Sequence, residues 1–333
     1  MSLPRIAISL GDPAGIGPEI ALKAALDEGV RQLCVPVLVG DRGALETHAA
    51  ACGLSPEIIE VQPEAVRALD LPAHSVALIA RKQLLPGELQ LGKIAALHGR
   101  AILDSATVAI EAALAGHVDA VVAAPQTEKA VQLAGVHFDG YPTFVASVVG
   151  VPRDEALLML CFDDKRIVHV TLHTSVKKAI GQITTGRVEH VIRAAHAALK
   201  RLGTADPRIA VSGLNPHAGE DGLFGDEEIE IIAPAIERAK AAGIKVEGPY
   251  GADTFLAKPG FDAHVVMLHD QGHVAAKALA PNRAAGMTIG TPVLFSSVAH
   301  GSALDIAGQN KAKPDAVIEA IKRLAKVGSG NVH

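Results

Sequence analysis

Short apolar runs alternate with amphipathic stretches along most of the chain. Arg5 to Leu10, Val35 to Val39, Val118 to Ala123, Ile167 to Leu172, Ile209 to Ser212, Val265 to Leu268 and Val293 to Ser297 are rich in β-branched residues and predict buried strands. Gly92 to Leu114, Thr185 to Leu202, Glu227 to Ala242 and Asp315 to Ala325 carry helix-like patterns. Strands and helices in alternation predict an α/β fold with mostly parallel sheets and crossover helices. The sequence FDGYPTF at 138–144 interrupts the pattern soon after Gly135. The expected division is therefore a first α/β domain of residues 1–135 rejoined by 305–333, and a second of residues 136–304. The chain contains neither a repeat of 20 to 50 residues nor a low-complexity linker.

Composition narrows the function classes. With 333 residues, 49% hydrophobic but only 3% aromatic, the cores must be built from Ala, Val, Ile and Leu, in enough chain for two domains. Thirty-one Lys and Arg against 36 Asp and Glu give a net charge of −5 without long runs of one sign. Two Tyr and no Trp leave few stacking platforms, so nucleic acid is excluded as the main partner. No apolar stretch reaches bilayer length, and the N-terminal segment lacks the pattern of a signal peptide. Cys34, Cys52 and Cys161 are far apart, which predicts a reducing, cytoplasmic setting without disulfides.

In parallel sheets chemistry gathers where strands end. The first strand ends in GDPAGIGPE at 11–19, whose glycines permit a tight turn into a helix. It is neither GxGxxG nor a P-loop, and a purely structural turn is an equal reading. Strand periodicity places His169, Thr171 and His173 on one face, with His173 at the strand end. Two further strands end at Asn215-Pro216-His217 and at His269-Asp270-Gln271-Gly272-His273. Three strand ends that each deliver an imidazole suit a catalytic divalent metal, with Asp270 as ligand or orienting partner. His48, His74, His98, His117, His190 and His196 lie in helical or loop contexts and are expected at the surface. In HGSALDIAG at 300–308, small residues let backbone approach a ligand, and Asp305 suits a ribose hydroxyl or a helix cap. A nucleophile elbow, a Ser-His-Asp order and HExxH are all missing, which removes hydrolase readings.

Taken together, GDPAGIGPE, GLNPHAGE at 213–220, GADTF at 251–255, HDQG at 269–272 with Lys277, and HGSALDIAG resemble the 4-hydroxythreonine-4-phosphate dehydrogenase family. The resemblance spans almost the whole chain. It implies a two-domain fold similar to isocitrate and isopropylmalate dehydrogenases, with an active site between the domains completed by the partner subunit of a homodimer. It assigns His173, His217 and His269 as ligands of a divalent metal: zinc first, with magnesium, manganese or iron open. The loop with His300, Gly301, Ser302, Asp305 and Gly308 is assigned to NAD.

Departures from the family pattern bear on the substrate. Tyr141 and Pro142 stand where the founding enzyme has the His and Thr that contact its phosphorylated substrate, and Gly286 and Phe295 stand where it has an Asn and an Arg. Lys277 is kept, while Glu128 replaces a common lysine, with Lys129 one position later. Loss of an Arg removes a bidentate phosphate donor. The stretches FDGYPTF, RIVHVTLH, MLHDQGH, KALAPN and SSVAHGSALDIAG resemble the terephthalate cis-dihydrodiol dehydrogenase branch. That branch implies a planar dicarboxylate walled by Tyr141 and Phe295, met by Lys277 and by Arg283 or Lys129. Its expected reaction is oxidation of a secondary hydroxyl by NAD followed by loss of CO2, with Lys277 or Asp270 relaying the proton. The alternative within the family is a phosphorylated four-carbon acid. Outside it stand a phosphotransferase, which would need an anion cradle at Gly15 to Glu19, and a non-catalytic binding protein.

Overall fold

The computed structural model describes residues 3–280 and 284–325. The expected contact region at Arg283 and the C-terminal segment from 326 lie outside them. In chain order the strands are β1 (Arg5–Ser9), β2 (Val35–Asp41), β3 (Glu57–Glu60), β4 (Ser75–Arg81), β5 (Ala120–Ala123), β6 (Leu157–Phe162), β7 (Lys165–His169), β8 (Arg208–Ser212), β9 (Lys245–Tyr250), β10 (Ala263–Val266), β11 (Ala285–Ile289) and β12 (Phe295–Val298). The chain divides into two compact units. One joins the chain up to Arg153 to the segment beginning at Thr291, and the other runs from Asp154 to Gly290.

In the first unit the strand order is β3-β4-β2-β1-β5-β12, and every pairing is parallel. The central strands are buried almost throughout, as parallel strands covered on both faces must be. In the second unit the order is β11-β6-β7-β10-β8-β9. There β7, β10, β8 and β9 run parallel, while β6 pairs antiparallel with both β7 and β11. The fold is thus α/β with mostly parallel strands, as expected. The antiparallel β6 arises because β6 and β7 are joined through only Asp163 and Asp164, with Asp163 at φ 45°, a hairpin too tight for a crossover.

The boundaries fall later and earlier than residues 136 and 304. The helix Tyr141–Val149 buries Tyr141, Val145 and Ala146, and the first two join Phe295, Val121, Ala123 and Ile110 in the core of the first unit. FDGYPTF therefore interrupts the strand pattern without opening a new unit. Phe138, Tyr141, Phe144 and Phe295 form the aromatic part of this core, with Tyr141 and Phe295 ring centroids 4.7 Å apart. The second unit centres on Phe162, Phe255, Leu160, Val266 and Ala210. Among the described residues no helix is long and apolar enough to cross a membrane.

One close approach makes a prediction. Gly99 lies in the helix Ala96–Leu114, where alanine is ordinarily better by about 1 kcal/mol. A Cβ there would stand 2.1 Å from the carbonyl oxygen of Ala130 and 2.8 Å from the Val131 nitrogen. Because backbone cannot rotate away, Gly99→Ala is expected to destabilise the protein by about 1–3 kcal/mol. Urea unfolding checks this: a variant as stable as the wild type would show that the two helices separate freely.

Candidate active site

β7 ends at His169, so His173 is carried by the following loop instead of the strand. The chain stays beside the sheet a little longer, since the amides of Val170 and Thr171 donate to the carbonyls of Val266 and Met267, and the Thr171 hydroxyl donates to Met267 as well at 2.8 Å. The helix His269–Leu279 starts directly behind β10. Its first turn is closed by Gln271, whose Oε1 accepts from the amides of Met267 and Leu268, both at 2.9 Å.

These two strand ends bring four imidazoles together. His173 lies 5.5 Å from His269 between ring centroids, His269 stacks on His273 at 3.8 Å and 7°, and His273 lies 4.8 Å from His169. His169 is fully buried, and burial with the neighbouring His273 pushes its pKa down to about 3. Burial with the neighbouring His269 pushes His273 down to about 4. The stack fits only because position 272 is glycine: a Cβ there would stand 2.3 Å from His169 Nε2. His269 Nδ1 lies 2.6 Å from Asp270 Oδ1. Lys277 is exposed two helical turns from His269, so His269, His273 and Lys277 share one helix face. A cavity of about 500 Å³ opens here, lined by Thr171, His173, Ser175, Val176, His269 and Asp270.

His217 sits apart, on the tight turn Pro216–Gly219 after β8, two-thirds exposed. It is the first of a left-handed run: His217, Ala218, Glu220 and Asp221 have φ of 52°, 55°, 46° and 55°. Each such non-glycine residue costs roughly 1–2 kcal/mol, a strain that persists only where surroundings impose it. His217 Nδ1 lies 3.1 Å from Glu220 Oε2. Gln271 links this turn to the His269 helix by donating from Nε2 to the Gly213 carbonyl at 3.1 Å.

Among the described residues no three His, Cys, Asp or Glu side chains converge to ligate a metal. The structure brings His173 and His269 together and leaves His217 on its own turn. The donor chemistry nevertheless suits a cation. His217 and His269 each engage a carboxylate through Nδ1, the kind of contact that orients metal-ligating imidazoles.

The residues expected at the substrate are distributed over both units. Gly286 is half-buried within β11, opposite Leu160. Pro142 opens the helix Tyr141–Val149, and Lys129 is exposed, donating to Gln132 Oε1. Tyr141 is 8% exposed and Phe295 0%. Both are core residues packed on one another, so they shape the first unit from within instead of forming an open wall. Two expected surface histidines are also buried: His48 reaches the Pro13 carbonyl and His98 the Lys93 carbonyl, each at 2.9 Å. An interior carbonyl offers each ring the partner that water would otherwise supply.

The Gly-rich turn and the 300–308 loop are in contact. The Ile16 amide donates to the Ser302 carbonyl at 2.8 Å, Thr127 Oγ1 donates to Ser302 Oγ at 2.9 Å, and a Cβ on Gly15 would lie 2.6 Å from Ser302 Cβ. Ser302 is buried, Asp305 is exposed, and Gly308 at φ 70° packs on Leu91. His300 Nδ1 lies 3.1 Å from the Gly301 carbonyl. The start of the helix Gly17–Leu26 is no anion cradle. Its Ile16 N–H serves Ser302, and the fully buried Glu19 places a carboxylate there, bonded to Lys23 and the Ala312 amide. An arriving phosphate would meet like charge, which removes the structural basis of the phosphotransferase reading.

Sequence reasoning assigned no role to Gln271, Thr127 or Glu228. Gln271 was within reach, since glutamine at the third helical position marks a helix start. Thr127 meets Ser302 175 residues away, and Glu228 meets Leu214 and Asn215 across a non-repeating loop, so neither leaves a periodic signal.

Residues 32–324 match the family described as pyridoxal phosphate biosynthetic protein PdxA. Over 320 residues, 96% of each chain, the protein is 42% identical to the 1,2-dihydroxy-3,5-cyclohexadiene-1,4-dicarboxylate dehydrogenase of Comamonas sp.. It is 38% identical over 332 residues, 98% of each chain, to the D-threonate 4-phosphate dehydrogenase of Cupriavidus necator. The crystal structure of a 4-hydroxythreonine-4-phosphate dehydrogenase from Burkholderia phymatum superposes with a TM-score of 0.87 at 34% identity, covering 98% of this chain and 99% of that one. The match of sequence along nearly the full length, together with a shared fold, makes this chain a dehydrogenase of the PdxA family.

Proposed function

We propose that the protein oxidises terephthalate cis-dihydrodiol, 1,2-dihydroxycyclohexa-3,5-diene-1,4-dicarboxylate, with NAD and releases CO2 and 3,4-dihydroxybenzoate. The observation that carries this reading is Phe295: the position where the resemblance expects a phosphate-binding Arg is a fully buried core residue against Tyr141. No cation is available there for a phosphate dianion, and burying that charge without a bidentate donor costs several kcal/mol. The 42% identity to a dehydrogenase named for this dicarboxylate supports the same choice.

In the proposed reaction the hydride on the carbinol carbon passes to NAD+ as the hydroxyl loses its proton. The resulting ketone lies β to a carboxylate, so the C–C bond to that carboxylate breaks with its electron pair entering the ring. The enolate oxygen takes up a proton, and the ring becomes aromatic. Lys277 meets a substrate carboxylate or takes and returns the hydroxyl proton from its place on the His269 face. Asp270 fixes the ring orientation of His269. His173, His217 and His269 would hold a divalent cation, zinc first, and when bound it would supply Lewis-acid polarisation of the vicinal substrate oxygens. The loop from His300 through Gly301, Ser302 and Asp305 to Gly308 receives NAD, its backbone steadied by the Gly-rich turn. The working form is a homodimer in the cytoplasm.

A second reading, oxidation of a phosphorylated four-carbon acid such as D-threonate 4-phosphate or 4-hydroxythreonine 4-phosphate, is favoured by the 38% identity to a D-threonate 4-phosphate dehydrogenase. NADH formation by the zinc-reconstituted protein separates the two. Turnover of the dihydrodiol with release of the catechol acid, and none of the phosphate esters, is expected. Saturation by a phosphate ester alone would overturn the dicarboxylate reading.

A further inference from the structure

The left-handed turn that carries His217 is tied down by a carboxylate to which the reaction gives no part. Within the turn the backbone bonds run from Ala218 N to Asn215 O at 3.1 Å, Glu220 N to His217 O at 3.4 Å and Gly222 N to Gly219 O at 3.1 Å, and the amides of Leu223 and Phe224 donate back to Glu220 O and Gly219 O at 3.1 and 3.0 Å. Gly219 and Gly222, at φ 82° and 93°, continue the left-handed run. A run of this hand is strained, and it draws support from outside as well as from these bonds.

Glu228 supplies that support. It opens the π-type turn Glu228–Ile232 and is only 3% exposed. Its Oε1 accepts from the amides of Leu214 and Asn215 at 2.7 and 2.8 Å, and its Oε2 accepts from Asn215 Nδ2 at 2.9 Å. Two glycines make room for it. A Cβ on Gly213 would lie 2.9 Å from Oε1, and one on Gly219 would lie 2.8 Å from Oε2. The glycines of GLNPHAGE at 213 and 219 thus leave the buried carboxylate its place, while Ala218 backbone also crowds position 213 and position 219 has φ 82°. On the far side Gln271 holds the Gly213 carbonyl, so the turn is gripped from two elements. The carboxylate bonds amides only, which makes it a support for His217 and not a ligand.

We propose that Glu228 is a positioning residue: its buried carboxylate fixes the left-handed turn 217–222 and thereby sets where His217 is presented. The consequence for cation binding rests on the proposed role of His217; the clamp itself does not. Glutamine in its place keeps the size but turns an NH2 donor toward N–H donors, breaking at least one of the three bonds.

The test uses the full chain as wild type, Glu228→Gln, His217→Ala and, as an exposed control, Glu237→Gln. Amide hydrogen exchange is read without metal, and Zn2+ affinity by chelator competition. In Glu228→Gln, exchange at Leu214 and Asn215 is expected to rise at least about tenfold while Ile209 and Val265 in the strands keep wild-type exchange. Zn2+ affinity is expected to fall at least about tenfold, the effect typical of losing an orienting partner. Glu237→Gln is expected to match the wild type in both. Wild-type exchange at Leu214 and Asn215 together with wild-type Zn2+ affinity would overturn the proposal. If wild type and His217→Ala bind Zn2+ equally, the cation reading of His217 fails, and exchange at the two amides alone decides the clamp. Should Glu228→Gln not fold, Asn215→Ala removes the Oε2 bond together with the 2.6 Å bond from Asn215 Nδ2 to Glu227 Oε2, and Glu227→Gln is the control for the second. Faster exchange at Leu214 then supports the clamp, and unchanged exchange overturns it.

Discussion

His269→Ala is expected to lower kcat/KM by at least about 10³, a loss of about 4 kcal/mol in transition-state stabilisation. Among the described residues His269 is the one imidazole whose ring meets both His173 and His273, and its Nδ1 is already oriented by Asp270. Its removal takes away an expected ligand and also the middle ring of the stack. The side chain is one-third exposed, so the fold should survive. Steady-state NADH formation, paired with circular dichroism and a Zn2+ titration, checks the claim. A variant that folds, binds no Zn2+ and is inactive fits the proposed site. Wild-type turnover would place the chemistry elsewhere.

Phe295→Ala is expected to cost about 3–5 kcal/mol of stability, the range for emptying a phenylalanine site in a packed core. The ring is fully buried, meets Tyr141 at 4.7 Å and joins Val121, Ala123 and Val145 in one cluster. For a unit of this size that is a fall in Tm of about 10 °C. Differential scanning fluorimetry reads the stability, and KM for the dihydrodiol reads the substrate. If the side chain were a substrate wall, Tm would stay and KM would rise. A large Tm shift with KM nearly unchanged in the folded fraction identifies it as core. A buried ring denies a phosphate its cation as effectively as an exposed one.

Much of the architecture was written in local patterns. The apolar runs behind β1, β2, β8, β10 and β12 and the long helices Ala96–Leu114 and Thr185–Arg201 stand close to where periodicity put them. A strand buried on both faces needs an unbroken apolar run, and a packed helix needs a stripe. The candidate histidines were legible for the same reason, since strand ends can be counted. His273 was legible too, as part of HDQGH, although nothing local gave it a stacking partner.

By itself, then, the sequence determined the α/β class, the order of elements, and the presence of imidazoles in the segments that follow three strands. Only the tertiary structure decided what those residues meet. The His169 ring lies against the His269 helix, where only glycine at 272 leaves room for it. FDGYPTF belongs to the first unit because Tyr141 packs on Phe295. His217 stands on a left-handed turn, and Glu228 receives the amides of Leu214 and Asn215 just ahead of it. The Gly-rich turn serves Ser302 instead of an anion. Periodicity records which way a side chain faces along its own element. The partner it finds there comes from a distant stretch of chain, chosen by volume, hydrogen-bond demand and charge once the elements pack.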